Sequence, residues 1–251
     1  MNEPLVSVVI ATYNMGQYLP DAIHSVLAQT YQNIEVVVVD DGSEDDTSIK
    51  MKGFANNSKV RYLPQKNLGQ PKAKNAGVKA CKGEFIAFCD ADDLWSADKL
   101  EKQLPFFDDP LIGVVYSEVS NIDGKGDVLR DVERYSRYNG QVTEKLIMSN
   151  FIPFGSAIIR KECVDELGAF DESLPMGIDW DLWLRYSTRY LFQYIPDQTY
   201  IYRIWEGQMS SNHRGRYRNA EKIMRKFLKQ YPDLLSPEIV KVAWADIYTN
   251  Y

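Results

Sequence analysis

VSVVIATYN (residues 6–14) and VVVVDDGSEDDT (residues 36–47) decide the fold. Each opens on a run rich in β-branched residues and breaks abruptly into a polar loop. An unbroken apolar run suits a strand buried on both faces, as in a parallel sheet covered by helices, so Val6 to Ile10 and Ile34 to Val39 are predicted as strands. Between them Leu19, Ala22, Ile23, Val26 and Leu27 recur at helical spacing, with His24 on the polar side. After the second strand, Ser43 with Asp46 three residues on reads as a helix N-cap with an acidic partner.

The alternation continues outward. A strand is expected at Val60 to Leu63, a helix near Pro71 to Cys81, and a third buried strand in FIAFCDADD (residues 85–93). Strand–helix alternation implies an α/β fold with a mostly parallel sheet and right-handed crossovers. Beyond about residue 110 the rhythm loosens. Ile112 to Val119 reads as a strand and Asp123-Gly124-Lys125-Gly126-Asp127 as a tight turn. Helices follow near Val142 to Met148, Lys161 to Leu167 and Asp179 to Tyr190, then a helical tail interrupted by Pro232 and Pro237.

Composition bounds the function. The 251 residues are 45% hydrophobic and 25% charged with a formal net charge of -6, which argues against nucleic acid as the partner. Three cysteines with no paired spacing (Cys81, Cys89, Cys163) suggest neither a disulfide framework nor a zinc site. There is no basic leader with a long apolar run and no membrane-length apolar stretch, so the cytoplasm is the expected compartment.

Ligands of open parallel sheets bind outside the carboxyl ends of the strands. Three polar loops are expected there: Ala11-Thr12-Tyr13-Asn14, Asp40-Asp41-Gly42-Ser43 and Asp90-Ala91-Asp92-Asp93. No GxGxxG or Walker loop is present, so phosphate would be handled through a cation. Asp90 and Asp92 suit Mg2+ or Mn2+ bridging to a diphosphate; the plainer reading is a solvated acidic turn before a helix opening at Ser96. Asp41 either makes an Asx-type turn or accepts a hydrogen bond from a nucleobase. In GIDWDLWLR (residues 177–185), Asp179 shares a face with Leu182, Trp183 and Tyr186, which makes it either a buried N-cap or a general base tuned by desolvation. Asp181, four before Arg185, is expected to form an ordinary helix-surface pair.

These four strings, in this order and spacing from about Val6 to about Ser211, resemble the family 2 glycosyltransferases of the GT-A fold. The resemblance implies an inverting transfer from a nucleoside-diphosphate sugar, with Ala11 to Asn14 and Asp41 holding the base, usually uracil. It implies Asp90 near the ribose, Asp92 on Mn2+ or Mg2+, Ala91 between them, and Asp179 deprotonating the acceptor hydroxyl. Lys72 and Lys74 lie in a segment where the family usually carries Ala-Arg-Asn, with Lys74 in the arginine's place as a less directional phosphate contact. Gly155 and Ser156 resemble the acceptor-side segment; Asp93 and Trp180 join them as expected sugar contacts. Two features depart from the family pattern: Trp205 stands where a histidine is common, and the QxxRW string of processive synthases is missing.

The expected organisation is a transferase domain over residues 1–212, with a nucleotide-sugar half (1–118), an acceptor half (119–212) and a helical tail (213–251). Basic residues crowd the tail between 214 and 231, with Ile223, Phe227 and Tyr231 at four-residue spacing. That helix would either rest on an anionic membrane surface near a lipid-linked acceptor or pack its apolar stripe on the domain. Two rival functions share parts of this pattern: a sugar-1-phosphate nucleotidyltransferase, whose Gly-rich basic loop is absent after the first strand, and a catalytically silent nucleotide-sugar-binding module.

Overall fold

The computed structural model describes residues 3–130, 136–208 and 213–250. Strands β1 (Val6–Thr12) and β2 (Ile34–Asp40) pair in parallel, with Thr12 opposite Asp40. Their alternate side chains go to opposite faces, as strand geometry requires. Val8, Ile10, Val36 and Val38 pack with Leu19, Ala22, Ile23 and Val26 of helix α1 (Leu19–Leu27). Val37 and Val39 pack against Ala73, on the face taken by helix α3 (Gln70–Ala80). Both faces are covered, which is why each strand is apolar without alternation. The α3 helix lies so close that a β-carbon on Gly77 would come within 2.3 Å of a Val9 methyl.

Helix α2 (Thr47–Met51) begins later than its predicted start. The Ser43 hydroxyl does not cap it; that oxygen accepts the Asn14 backbone N–H at 2.8 Å and laces the first loop to the second. Strand β3 (Val60–Pro64) extends the sheet beyond β2, and β4 (Phe85–Phe88) lies beside β1, all parallel. Next come β5 (Leu94–Trp95), helix α4 (Lys99–Gln103), β6 (Ile112–Asp123) and β7 (Val128–Leu129). They are followed by helix α5 (Thr143–Leu146), β8 (Ile158–Arg160), α6 (Lys161–Leu167), α7 (Ile178–Ser187) and β9 (Leu191–Ile204). The helix expected at Ser96 starts at Lys99 instead, with the Ser96 hydroxyl bonded to Asp98.

One sheet contains every strand described, in the order β3-β2-β1-β4-β8-β6-β9-β5, with β7 on β6. Strands β6 and β9 run parallel to each other, and β8 is antiparallel to both of its neighbours, β4 and β6. This direction matters. The first four strands, β6 and β9 all end at one edge of the sheet, and the turn before β8 enters at that same edge.

The tail is not an appendage with a core of its own. Ala220, Ile223, Met224 and Phe227 of α8 (His213–Gln230), with Ala243 and Ile247 of α9 (Pro237–Asn250), join the cluster that holds Phe88, Trp180 and Trp183. The apolar stripe of α8 is thus used in packing on the domain, and Lys226 is paired to Asp171 at 2.7 Å and Asp181 at 2.6 Å. Among the described residues no helix is long and apolar enough to cross a membrane.

Candidate active site

At the shared edge, the loop after β1 is held by the loop after β2. Asn14 adopts a left-handed φ of 54°, which asparagine tolerates better than most residues, and its side-chain oxygen accepts the Glu44 N–H at 2.7 Å. Ala11 is half-buried at the strand end, Tyr13 stands 43% exposed, and Thr12 is buried with its hydroxyl lacking a partner among the described residues. A buried hydroxyl without a partner is uncommon and is open to a ligand's hydrogen bond.

Asp41 is buried. Its Oδ1 accepts Gln65 Nε2 at 2.6 Å and the Leu68 N–H at 2.9 Å, and its Oδ2 accepts the Gly69 N–H at 2.8 Å. A carboxylate offers about four acceptor positions, so three protein donors leave roughly one for a nucleobase. Asp41 makes no Asx-type turn, since its oxygens accept from the loop of residues 65–69; the short-range contact to the Ser43 N–H comes from Asp40 Oδ1 at 2.8 Å instead.

Lys74 occupies the centre of the site. Its ammonium is buried, 2.7 Å from Asp90 Oδ1 and 4.1 Å from the Phe154 ring centroid. Its charge also favours the ionised form of Asp179. Lys72, two residues earlier, is exposed on α3. The next helical residue, Asn75, exchanges hydrogen bonds of 2.9 Å with both main-chain groups of Phe170, tying α3 to the approach to α7.

Asp179 opens α7, as expected, and the surroundings that matter to it are distant in sequence. Asn150 Nδ2 donates to Asp179 Oδ2 at 2.6 Å, while the Asn150 side-chain oxygen is buried with no partner among the described residues. Burial lifts the Asp179 carboxyl above its ordinary value, and the Asn150 amide pulls it back. No motif marks Asn150 in the sequence; it reaches the site through a contact 29 positions long.

The acidic loop after β4 carries three aspartates in different settings. Ala91 is buried between them. Burial raises the Asp92 carboxyl and the neighbouring Asp90 charge raises it further, against a hydrogen bond from Trp205. Asp93 is 1% exposed; its oxygens accept the Tyr200 hydroxyl and, at 2.7 Å, the Arg203 backbone N–H. Burial first, then the charges of Asp92 and Asp90, pushes Asp93 well above the carboxylate range. Asp93 thus serves as an anchor between this loop and β9 rather than an open sugar contact.

Three more expected sugar contacts also lie in packing roles. Gly155 is pressed against Tyr200, whose ring would lie 2.1 Å from a β-carbon there. Ser156 is fully buried, and its carbonyl accepts Lys99 Nζ at 2.6 Å and Gln103 Nε2 at 3.0 Å. Trp180 is buried with its indole N–H on the Leu146 carbonyl at 2.6 Å, which fixes the start of α7 to α5. Asp181 proves to be a buried structural ion and not a surface pair: it meets Arg185 at 2.9 Å and Lys226 from α8.

Among the described residues no three His, Cys, Asp or Glu side chains could hold an ion by themselves. Asp90 and Asp92 still suit a hard divalent cation. They are adjacent oxygen donors, Asp92 is desolvated, and their mutual repulsion is a charge that a cation would relieve. Diphosphate and water would complete such a shell.

Comparison with known proteins bears on the family and the fold. The sequence model described as Glycosyl transferase family 2 matches residues 7–168. An uncharacterized glycosyltransferase of Rickettsia prowazekii is 35% identical over 188 residues, covering 73% of this chain and 58% of its own length. A chondroitin synthase of Escherichia coli is 33% identical over 211 residues, covering 83% of this chain and 30% of its own. This chain thus spans between about a quarter and three-quarters of the length of the curated relatives it matches, and about a third to three-fifths for most of them. Among solved structures, S. aureus TarS 1-349 in complex with UDP-GlcNAc superposes with a TM-score of 0.77 at 22% identity, covering 97% of this chain and 72% of that one. The mannosyltransferase PcManGT of Pyrobaculum calidifontis, in complex with GDP-Man and Mn2+, gives 0.70 at 21% identity, covering 98% and 70%. The structural likenesses establish the GT-A type of α/β fold, and the sequence matches go further: the chain belongs to the family 2 glycosyltransferases.

Proposed function

We propose that the chain transfers a hexosyl or N-acetylhexosaminyl group from a nucleoside-diphosphate sugar, with UDP as the nucleotide, to an acceptor hydroxyl with inversion. The observation that carries this reading is the arrangement around Lys74, which pairs with Asp90 on one side and electrostatically favours ionised Asp179 on the other. Lys74 thereby touches the donor-side carboxylate directly and acts on Asp179 through its charge alone.

Residues 1–118 form the donor half and 119–212 the acceptor half. The loop Ala11 to Asn14 and Asp41 hold the base. Asp179 takes the proton of the acceptor hydroxyl as its oxygen attacks the anomeric carbon, and the bond to the nucleoside diphosphate breaks on the opposite side. General-base help of this kind contributes about 10²–10⁴ in rate. Asp90 and Asp92 would hold Mn2+ or Mg2+, which offsets the negative charge gathering on the leaving diphosphate. A glycan or lipid-linked sugar is the acceptor we favour, in bacterial surface polysaccharide or glycolipid assembly. A relative named chondroitin synthase and a neighbour solved with UDP-GlcNAc support this choice.

Calorimetric titration with UDP and Mn2+, beside GDP, CDP and ADP, tests the reading, with Asp92→Ala as control. Metal-dependent UDP binding that vanishes in the variant is expected. Tighter GDP binding would keep the transferase and change the donor. No nucleotide binding with or without metal would overturn the proposal.

A further inference from the structure

Trp205 reaches the acidic loop from the end of β9, and its indole Nε1 donates to Asp92 Oδ2 at 2.8 Å. Two residues earlier, Arg203 Nε donates to the Asp92 main-chain carbonyl at 2.8 Å, and the Arg203 backbone N–H donates to Asp93 at 2.7 Å. Asp92 is therefore gripped at its carbonyl and its carboxylate by the same strand end. The indole is itself held. Its ring lies 6.0 Å from that of Tyr18, the Trp205 backbone N–H donates to Gln208 Oε1 at 3.3 Å, and the Arg203 guanidinium covers the other partner, Tyr18, at 4.7 Å.

The chemistry of the donor is informative. An indole N–H is neutral and can only donate. It can therefore fix one oxygen of a carboxylate without bringing a positive charge that would repel a cation at the other. Lys74 already brings one positive charge to Asp90, and a lysine or arginine at position 205 would add a second, directly on Asp92, to oppose a metal. Carboxylates that bind metals are commonly oriented by such outer hydrogen bonds, and loss of one typically costs about 10–100-fold in metal affinity.

We propose that Trp205 is a positioning residue for the cation site: it occupies Oδ2 of Asp92 and presents Oδ1 to a divalent metal. This rests on the metal reading of Asp90 and Asp92 given above. The role is carried by a residue 113 positions away from the carboxylate it orients, and the indole lies against the Tyr18 ring.

Trp205→Phe removes the donor and keeps an aromatic ring. The test titrates the full chain with Mn2+ and UDP by calorimetry, and with UDP alone in EDTA, after a thermal melt has confirmed folding. The Mn2+-dependent part of binding should weaken about 10–100-fold while metal-free UDP binding stays unchanged. In an Asp92→Ala background the same substitution should have no further effect, because the indole acts through that carboxylate. Mn2+ binding as tight in Trp205→Phe as in the parent, or tighter, overturns the inference alone. Absence of metal-dependent binding in the parent overturns the metal reading and the inference with it.

Discussion

Asp41 and Asp179 sit in regions built on opposite plans. Around Asp41, two backbone N–H groups and one side-chain amide converge on a single carboxylate, and the neighbouring loops exchange further hydrogen bonds through Asn14 and Ser43. Around Asp179, one amide from Asn150 reaches a carboxylate whose ionised form is disfavoured by burial. The first plan ties the loop after β2 to the loop of residues 65–69 through one carboxylate, the arrangement we propose for holding the base. The second leaves a carboxylate under-solvated, and therefore willing to take a proton. On the proposed function, the two regions should respond differently to substitution, and that difference can be attacked.

The largest expected effect is on the reactive side. Asp179→Asn should lower transfer by about 10²–10⁴-fold while metal-dependent UDP binding stays at the parent level. Glycosyl transfer to acceptor and calorimetry, measured on the same preparation, check this. Equal loss in both would show that Asp179 supports the fold and the two regions are one. Next comes the ion pair behind it. Asp181→Ala strands the buried Arg185 and should cost about 3 kcal/mol of unfolding free energy, near the low end for such pairs because three main-chain carbonyls still receive the guanidinium. Denaturant unfolding reads this, and nucleotide affinity in the folded protein should not move.

Asp41→Asn sharpens the comparison from the donor side. An amide nitrogen would confront a backbone N–H of the loop at residues 68–69, so we expect about 1–2 kcal/mol weaker UDP binding with an unchanged pH profile. The smallest effect belongs to Asn150→Ala. Its N–H stabilises ionised Asp179, so removing it raises a carboxyl that burial has already raised. The base must be ionised to act, so the acid limb of the kcat profile should move to higher pH while the rate well above the limb changes little. A limb that stays in place would mean that another group titrates there.

Legibility followed the same division. Strands β1, β2 and β4, with their loops, could be read because burial on both faces writes itself as an uninterrupted apolar run. Strand β9 escaped because Pro196 interrupts it and its buried positions, Phe192, Ile195, Thr199, Tyr200 and Arg203, follow no regular alternation, and β8 is only three residues long. The roles of single side chains depended on distance. Ser43 resembled a helix cap, but its partner Asn14 lies 29 positions away. Asp181 resembled a surface pair with Arg185 until Lys226, 45 positions on, is brought beside it. Asp93 and Trp180 bear the right chemistry for sugar contact, yet Tyr200 and Leu146 occupy their polar atoms. A carboxylate's neighbours are set by topology, which local spacing does not encode.

The grip of β9 on the acidic loop has a consequence in time. Asp92 and Asp93 leave the ribosome more than 100 residues before Arg203 and Trp205, which complete their surroundings. At roughly 5–20 residues per second that interval lasts about 5–20 s. During it the nascent chain can join the loops after β1 and β2, whose parts are all within its first 70 residues, but its acidic loop has no latch. The loops after β1 and β2 can therefore be laced together first and the surroundings of Asp92 and Asp93 completed last, so an interrupted chain is left without the latch on that acidic turn.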